Sequence, residues 1–242
     1  MMEVSEFTAA YTEAFGPAAR LPLVFWYSAE PLRAVPKTEG CFFKALAGAC
    51  GAEPVSLNAG NIGCGGGKFY TGYAPMSEYV PDFVSQKEHY KQSPDEVRSF
   101  VGRLDVRPAS GTWLHFARID TVGSFEGKEG VLFFAVPDVL SGLVSWASFD
   151  GDRDDAVAAP FGSGCSSVVT QAVRENRNGG KRCFLGLFDP SVRPWVEADE
   201  LSFVVPMTRF REMCGTMPAS CLFGTHAWKK VRDRINSKTN YI

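Results

Sequence analysis

The chain has 242 residues, 45% of them hydrophobic and 19 of them phenylalanine, which is enough to bury a core and excludes global disorder. A formal charge of -2 excludes the basic footprint of a nucleic-acid binder. The only basic run, Lys229, Lys230, Arg232 and Arg234, is interrupted by Asp233 and reads as a solvated helix face.

Glu3, Glu6 and Glu13 fall where a signal peptide would be basic or apolar, and the seven cysteines form no evenly spaced framework. A cytoplasmic protein with reduced thiols is therefore expected. Ser5 to Gly16 predicts an amphipathic helix, with Phe7, Ala10, Tyr11, Ala14 and Phe15 on one face and Gly16 as the stop. LPLVFWYS, Leu21 to Ser28, is a continuous apolar run and hence a buried strand, and a second helix is expected from about Cys41 to Gly51. Ser93-Pro94-Asp95-Glu96 is a capping box with proline at the first helical position, and Val97, Phe100, Val101 and Leu104 continue at helical spacing.

WLHFARI, Trp113 to Ile119, alternates as a half-exposed strand, whereas VLFFAV, Val131 to Val136, reads as buried on both faces. The linker around Ser124 to Gly130 predicts a hairpin that pairs these two strands antiparallel. The apolar run from Val131 to Ala147 is too short for a membrane span and contains Pro137-Asp138, so it is expected to be a strand turning into a helix. A helix over SGCSSVVTQAVREN, strands over CFLGLF and LSFVVP, and helices near Thr208 to Met217 and Thr225 to Ile235 complete the pattern. The fold class is α+β in a single domain over residues 1–242, with a mixed sheet, an antiparallel hairpin and flanking helices; a doubly wound parallel sheet is the alternative. LVFWYSAEPL and VLFFAVPDVL echo one another, as do GNIGCGGG and GSGCSS, which two similar halves or a chance match would equally explain.

Chemistry concentrates in NAGNIGCGGGKFYTGY, Asn58 to Tyr73. Glycines at Gly63, Gly65, Gly66 and Gly67 can turn backbone N–H groups toward one point, Lys68 adds a positive charge and Tyr70 an aromatic wall, so Cys64 is a candidate thiolate. A tight glycine turn around a small buried thiol is the bland reading. Lysine spacing excludes a Walker A loop. Ser163 as a helix cap would place Cys165 in a first helical turn, where the dipole stabilises a thiolate by up to about 1 kcal/mol. Cys41 and Cys50 fall on opposite sides of one helix, leaving Cys41, Cys64 and Cys165 as a trio that could hold a metal or an iron–sulfur cluster. Met207, Met213, Cys214, Met217, Cys221 and His226 offer soft ligands but read as packing. Asp189 and Arg193 in FDPSVRPW could form a clamp for a carboxylate or phosphate, or a surface ion pair. No Ser-His-Asp or HExxH pattern is readable.

With GCFFKALAGA at Gly40, IGCGGGKFYTGY at Ile62, GSGCSSVV at Gly162 and the segment Leu185 to Phe210, the chain resembles the family catalogued as domain of unknown function 169. The resemblance covers most of the chain and implies a soluble protein with no settled activity. Two functional expectations stand together. One is a cytoplasmic protein that binds a metal, an iron–sulfur cluster or a small anionic cofactor through Cys64, the Gly63 to Gly67 backbone and Lys68, without nucleic acid or membrane. The other is an enzyme with Cys64 or Cys165 as a redox or nucleophilic thiol.

Overall fold

The computed structural model describes residues 2–32 and 39–237. The amphipathic start forms α1 (Val4–Phe15), closed by Gly16 at φ 87°. Next come β1 (Leu23–Ser28), α2 (Phe43–Cys50), β2 (Val55–Leu57), α3 (Gly65–Tyr70), α4 (Val80–Gln86) and α5 (Pro94–Leu104). The Ser93 hydroxyl caps α5 by accepting from the Glu96 N–H at 3.3 Å, while the Glu96 carboxylate accepts from the Gln92 N–H at 2.9 Å. The strands β3 (Trp113–Arg118) and β4 (Gly130–Ala135) follow, then α6 (Pro137–Ala147) and β5 (Val157–Ala158). A π-helical turn (Ser166–Thr170) runs into α7 (Gln171–Arg177), and β6 (Cys183–Gly186), β7 (Leu201–Pro206), α8 (Met207–Thr216) and α9 (His226–Asn236) end the fold.

Pro137 divides the longest apolar run into β4 and α6, because a proline is accepted at a helix's first turn and not inside a central strand. No helix among the described residues is long and apolar enough to cross a membrane. Among the described residues seven strands form one sheet in the order β2-β3-β1-β4-β7-β6-β5, antiparallel except for the β5–β6 pair, so the fold is α+β with a mixed sheet.

The expected hairpin between β3 and β4 is not formed. β1 lies between them, with Leu23 opposite Arg118 on one side and Leu132 on the other. Both neighbours run antiparallel to β1 and hence parallel to each other. The physical reason lies in β1 itself, whose unbroken apolar run is suited to a central strand with both edges paired. The linker read as a turn is a bridge across the strand: Pro22 accepts the Ile119 N–H at 2.9 Å and Phe25 accepts the Glu129 N–H at 2.9 Å.

Helices cover both faces of the sheet. On one face α1, α6, α8 and α9 meet Val24, Val131, Phe133, Phe203 and Val205; on the other α2, the π turn and α7 meet Leu23, Phe25, Leu114, Phe116, Leu132 and Val204. Met207, Met213, Cys214 and Met217 all lie in the first core, which is the packing role expected of them. The indoles of Trp146 and Trp228 each donate to a backbone carbonyl, of Met213 and Ala14, at 2.8 Å. Gly186 lets the π turn settle on β6, since a Cβ there would lie 2.2 Å from the Ser167 side chain.

β3 is more deeply buried than its alternation implies, because His115 is covered as fully as its apolar neighbours. Its two ring nitrogens lie 2.6 Å from Ser28 Oγ and 2.9 Å from Ser56 Oγ. Burial, with a smaller contribution from the Lys128 ammonium, pushes the imidazole down to about 4. A folded-state value below the usual 6.5 means that the unfolded chain binds the proton first. The stabilisation is therefore complete above about pH 6.5 and is lost as pH falls toward 4. Urea unfolding at pH 7.5 and pH 4.5 should show the wild type losing about 2–3 kcal/mol more on acidification than His115→Gln. Equal losses in the two proteins would refute this assignment.

Candidate functional site

Cys64 is the N-cap of α3, and its Sγ accepts from the Gly67 N–H at 3.3 Å. Gly65 to Gly67 form an ordinary helical turn, so they do not supply the left-handed turn that glycine runs often mark. Gly67 is required for contact: a Cβ there would lie 2.8 Å from Ile62 Cγ2 and 2.9 Å from Cys64 Sγ. Gly63, Gly65 and Gly66 are exposed, and a Cβ on Gly65 or Gly66 would meet nothing within 4 Å. The Gly67 N–H is held by the thiol and the Lys68 N–H by the Cys64 carbonyl at 3.2 Å, so two donors of the expected anion nest are already engaged. Lys68 sits on the last turn of α3, half-buried.

Cys41, Cys64 and Cys165 all belong to the core on the α2 and α7 side, with Cys165 buried and the other two half-buried. They share one neighbourhood closely enough that charge on Cys64 raises the pKa of both other thiols. The helix carrying Cys165 begins at Gly164, as its serine cap implied, but burial outweighs the helix start. It drives the Cys165 thiol well above its ordinary value, with Cys64 and Cys41 adding to the shift and a Ser163 hydrogen bond only partly opposing it. Cys41 is raised for the same leading reason. The thiolate expected at Cys165 is thus corrected to a neutral thiol. Among the described residues no group of three or more His, Cys, Asp or Glu side chains is placed to hold a metal ion. Cys50 faces elsewhere, beside Arg20 and Glu200.

A cavity of about 300 Å³ opens beside the cysteine-glycine loop. Gly66, Tyr70, Gly162 and Ser163 form its floor, and α4 and α5 roof it with Val80, Phe83, Val84, Val97, Phe100 and Val101. Phe161 closes one wall, and Glu88, Tyr90, Lys91, Asp189 and Ser191 form a polar end. The roof is an addition to the two cores, since buried Val97, Val101 and Leu104 belong to neither. Polar contacts hold it: Arg174 of α7 donates to the carbonyls of Arg103 and Leu104 at 3.2 Å, and the Ala109 N–H donates to the Gly72 carbonyl at 3.1 Å. The Thr170 hydroxyl joins the π turn to α3 by donating to the Tyr70 carbonyl at 2.7 Å.

The polar end is built on strained backbone. His89, between Glu88 and Tyr90, has φ 54°, and Leu187, two residues before Asp189, has φ 69°. Left-handed backbone is uncommon for side chains of this size. At Leu187 it keeps the leucine in the core while the chain turns to present Asp189 to the cavity.

The family model described as an uncharacterised ArCR, domain of unknown function 169, matches residues 23–216. The chain belongs to this family. No curated protein and no solved structure is significantly similar to it. The match takes in β1 through α8, and with them the three thiols and the whole cavity of this DUF169 member, and leaves α1 and α9 outside.

Arg193, expected as an anion clamp, is engaged within its own loop. Its guanidinium donates to the carbonyls of Glu200 at 2.6 Å, Glu197 at 3.0 Å and Ala198 at 2.7 Å. Asp189 does not orient it, accepting instead from the Ser191 N–H and hydroxyl, both at 2.9 Å. Tyr70 lines the cavity, as its reading as an aromatic wall implied, but the aromatic groups of α4 went unread, although Tyr79 and Phe83 at helical spacing, exposed and in edge contact at 6.4 Å, are a signal that could have found that helix. The thiol environments carry a test by timed iodoacetamide labelling at pH 7.5 with peptide mass spectrometry. Cys165 should label at least about tenfold more slowly than a model peptide thiol, because alkylation requires thiolate and access. Labelling at the peptide rate in folded protein would contradict the buried neutral thiol.

Proposed function

We propose that this DUF169 protein is a cytoplasmic binding protein that takes a small organic ligand into the cavity between the α4–α5 roof and the cysteine-glycine loop. The observation that carries the reading is the cavity itself. Its walls are apolar, its polar groups gather at one end, and its volume of about 300 Å³ is that of a small-molecule site. A roof held outside both cores gives such a site a cover that can move without cost to the sheet.

A second reading is supported by the proximity of Cys41, Cys64 and Cys165. A metal ion or iron–sulfur cluster on these thiols would require them to converge further and to lose their protons on binding. Anaerobic purification with metal analysis and an absorption spectrum tests it. The enzymatic reading, with Cys64 or Cys165 as nucleophile or redox thiol, requires a base, and for Cys165 the burial described above works against it.

The cavity reading is tested with N-phenyl-1-naphthylamine, a neutral fluorescent probe. Gly66 lines the cavity with open space around its Cβ position, so Gly66→Phe places a ring at the cavity wall, and replacing a helical glycine does not weaken α3. Saturable one-to-one binding by the wild type should weaken by at least about tenfold in the variant, with the melting temperature unchanged or raised. Undiminished probe binding by a folded Gly66→Phe protein would sink the reading.

A further inference from the structure

The polar end of the cavity specifies a charge. Glu88 and Asp189 bring two carboxylates to the lining and Lys91 one ammonium. Lys91 is not seated on either acid. Its Nζ lies over the ring of Phe100, 5.1 Å from the centroid, and 6.0 Å from that of Phe161. Neither acid forms an ion pair within 4 Å among the described residues. Asp189 is nearly fully buried; Ser191 supplies one donor to each of its oxygens and the Tyr90 hydroxyl a third to the carboxylate, which leaves it one open acceptor position. Tyr90 faces both carboxylates and makes an edge contact with Phe161 at 5.8 Å.

We infer, resting on the cavity reading above, that the ligand is an organic monocation, an arylalkyl amine or a quaternary ammonium. Its apolar body lies against α4 and α5, and its charge lies between Glu88 and Asp189. A single positive charge neutralises the net charge of the lining. Electron-rich ring faces favour a cation in the same space, and Lys91 occupies such faces here. An anion would instead enter beside two carboxylates with one ammonium to meet it, and Lys68, the cation expected to attract it, is not part of the lining.

Three probes of matched size separate the possibilities: 2-phenylethylammonium, 2-phenylethanol and phenylacetate, titrated into the full chain at pH 7 and followed by calorimetry and amide chemical shifts. The cation should bind at least about tenfold more tightly than the alcohol or the anion, the scale of one desolvated charge pair. Asp189→Asn and Glu88→Gln should each remove most of that preference and leave 2-phenylethanol binding unchanged. Glu88 lies in the loop between the helices, so its variant keeps the test open if Asp189→Asn fails to fold. Lys91→Met should raise affinity for the cation severalfold by removing a competing ammonium. Tighter binding of phenylacetate, loss of cation binding in Lys91→Met, or failure of 2-phenylethylammonium to bind a protein that still binds N-phenyl-1-naphthylamine would overturn the inference and leave the cavity reading standing. If none of the probes binds, the fluorescent one included, the cavity reading itself fails and the inference with it.

Discussion

The candidate site depends on one backbone closure. At Gly72 the chain turns with φ 82° and its carbonyl accepts the Ala109 N–H at 3.1 Å, which pinches the base of the excursion that carries α4 and α5. A Cβ at Gly72 would lie 2.3 Å from the Arg107 carbonyl oxygen and 2.6 Å from the Ala109 nitrogen, so the close approach requires a glycine on two counts, conformation and space. With the base closed there, the two helices have one covered surface to lie on, the floor made by α3 and the start of the π turn. The cavity is the space left between that floor and a roof whose apolar residues do not reach either core.

The same floor decides the chemistry of the thiols. A helix start offers a thiolate about 1 kcal/mol at most, whereas taking a charge out of water costs several times that. Cys165 is enclosed by Val168, Val169 and their neighbours in the second core, so the larger effect wins and the thiol stays protonated. Two further thiols nearby add to this, because each would repel the charge of the others. A cluster of cysteines is therefore no guarantee of thiolate chemistry: burial and mutual repulsion outweigh the small opposing effect of the Lys44 ammonium on Cys41.

Much of the framework was legible in the chain. Every helix or strand marked by long periodicity, by the Ser93 cap or by Pro137 formed within a few residues of its expected place, because these signals act locally. The insertion of β1 between β3 and β4 was not legible, since a linker long enough to turn is also long enough to bridge a strand, and nothing local says which. α4 has one buried proline and one buried serine and no buried apolar stripe, so only the exposed Tyr79–Phe83 pair hinted at it. The cavity residues come from segments near 66–70, 79–101, 161–163 and 189–191, which tertiary contacts such as the closure at Gly72 and the Thr170 to Tyr70 hydrogen bond bring together. The loop around Cys64 pointed to the right neighbourhood for a different reason than its composition suggested: Gly67 is there for packing, while Gly66 leaves space.

The internal echo acquires a spatial meaning. The two similar strand segments became β1 and β4, which lie side by side and antiparallel at the centre of the sheet. The two Gly-Cys elements became the start of α3 and the start of the π turn, and the far ends of these two elements are joined by the Thr170 to Tyr70 hydrogen bond at 2.7 Å. The helices that follow β1 and β4 directly, α2 and α6, cover opposite faces, and the two Gly-Cys elements meet only later in each half, on the face covered by α2 and α7. What separates the halves is the material between: α4 and α5 follow the first Gly-Cys element and have no counterpart after the second, where α7 continues directly. One half thus contributes a roof and the other an anchor, Arg174, whose guanidinium holds the last carbonyls of α5. That hold is made of hydrogen bonds at a partly exposed surface, each worth about 1 kcal/mol, and not of shared core. Local opening of the roof therefore costs far less than unfolding the sheet, which is the energetic separation a covered binding cavity needs.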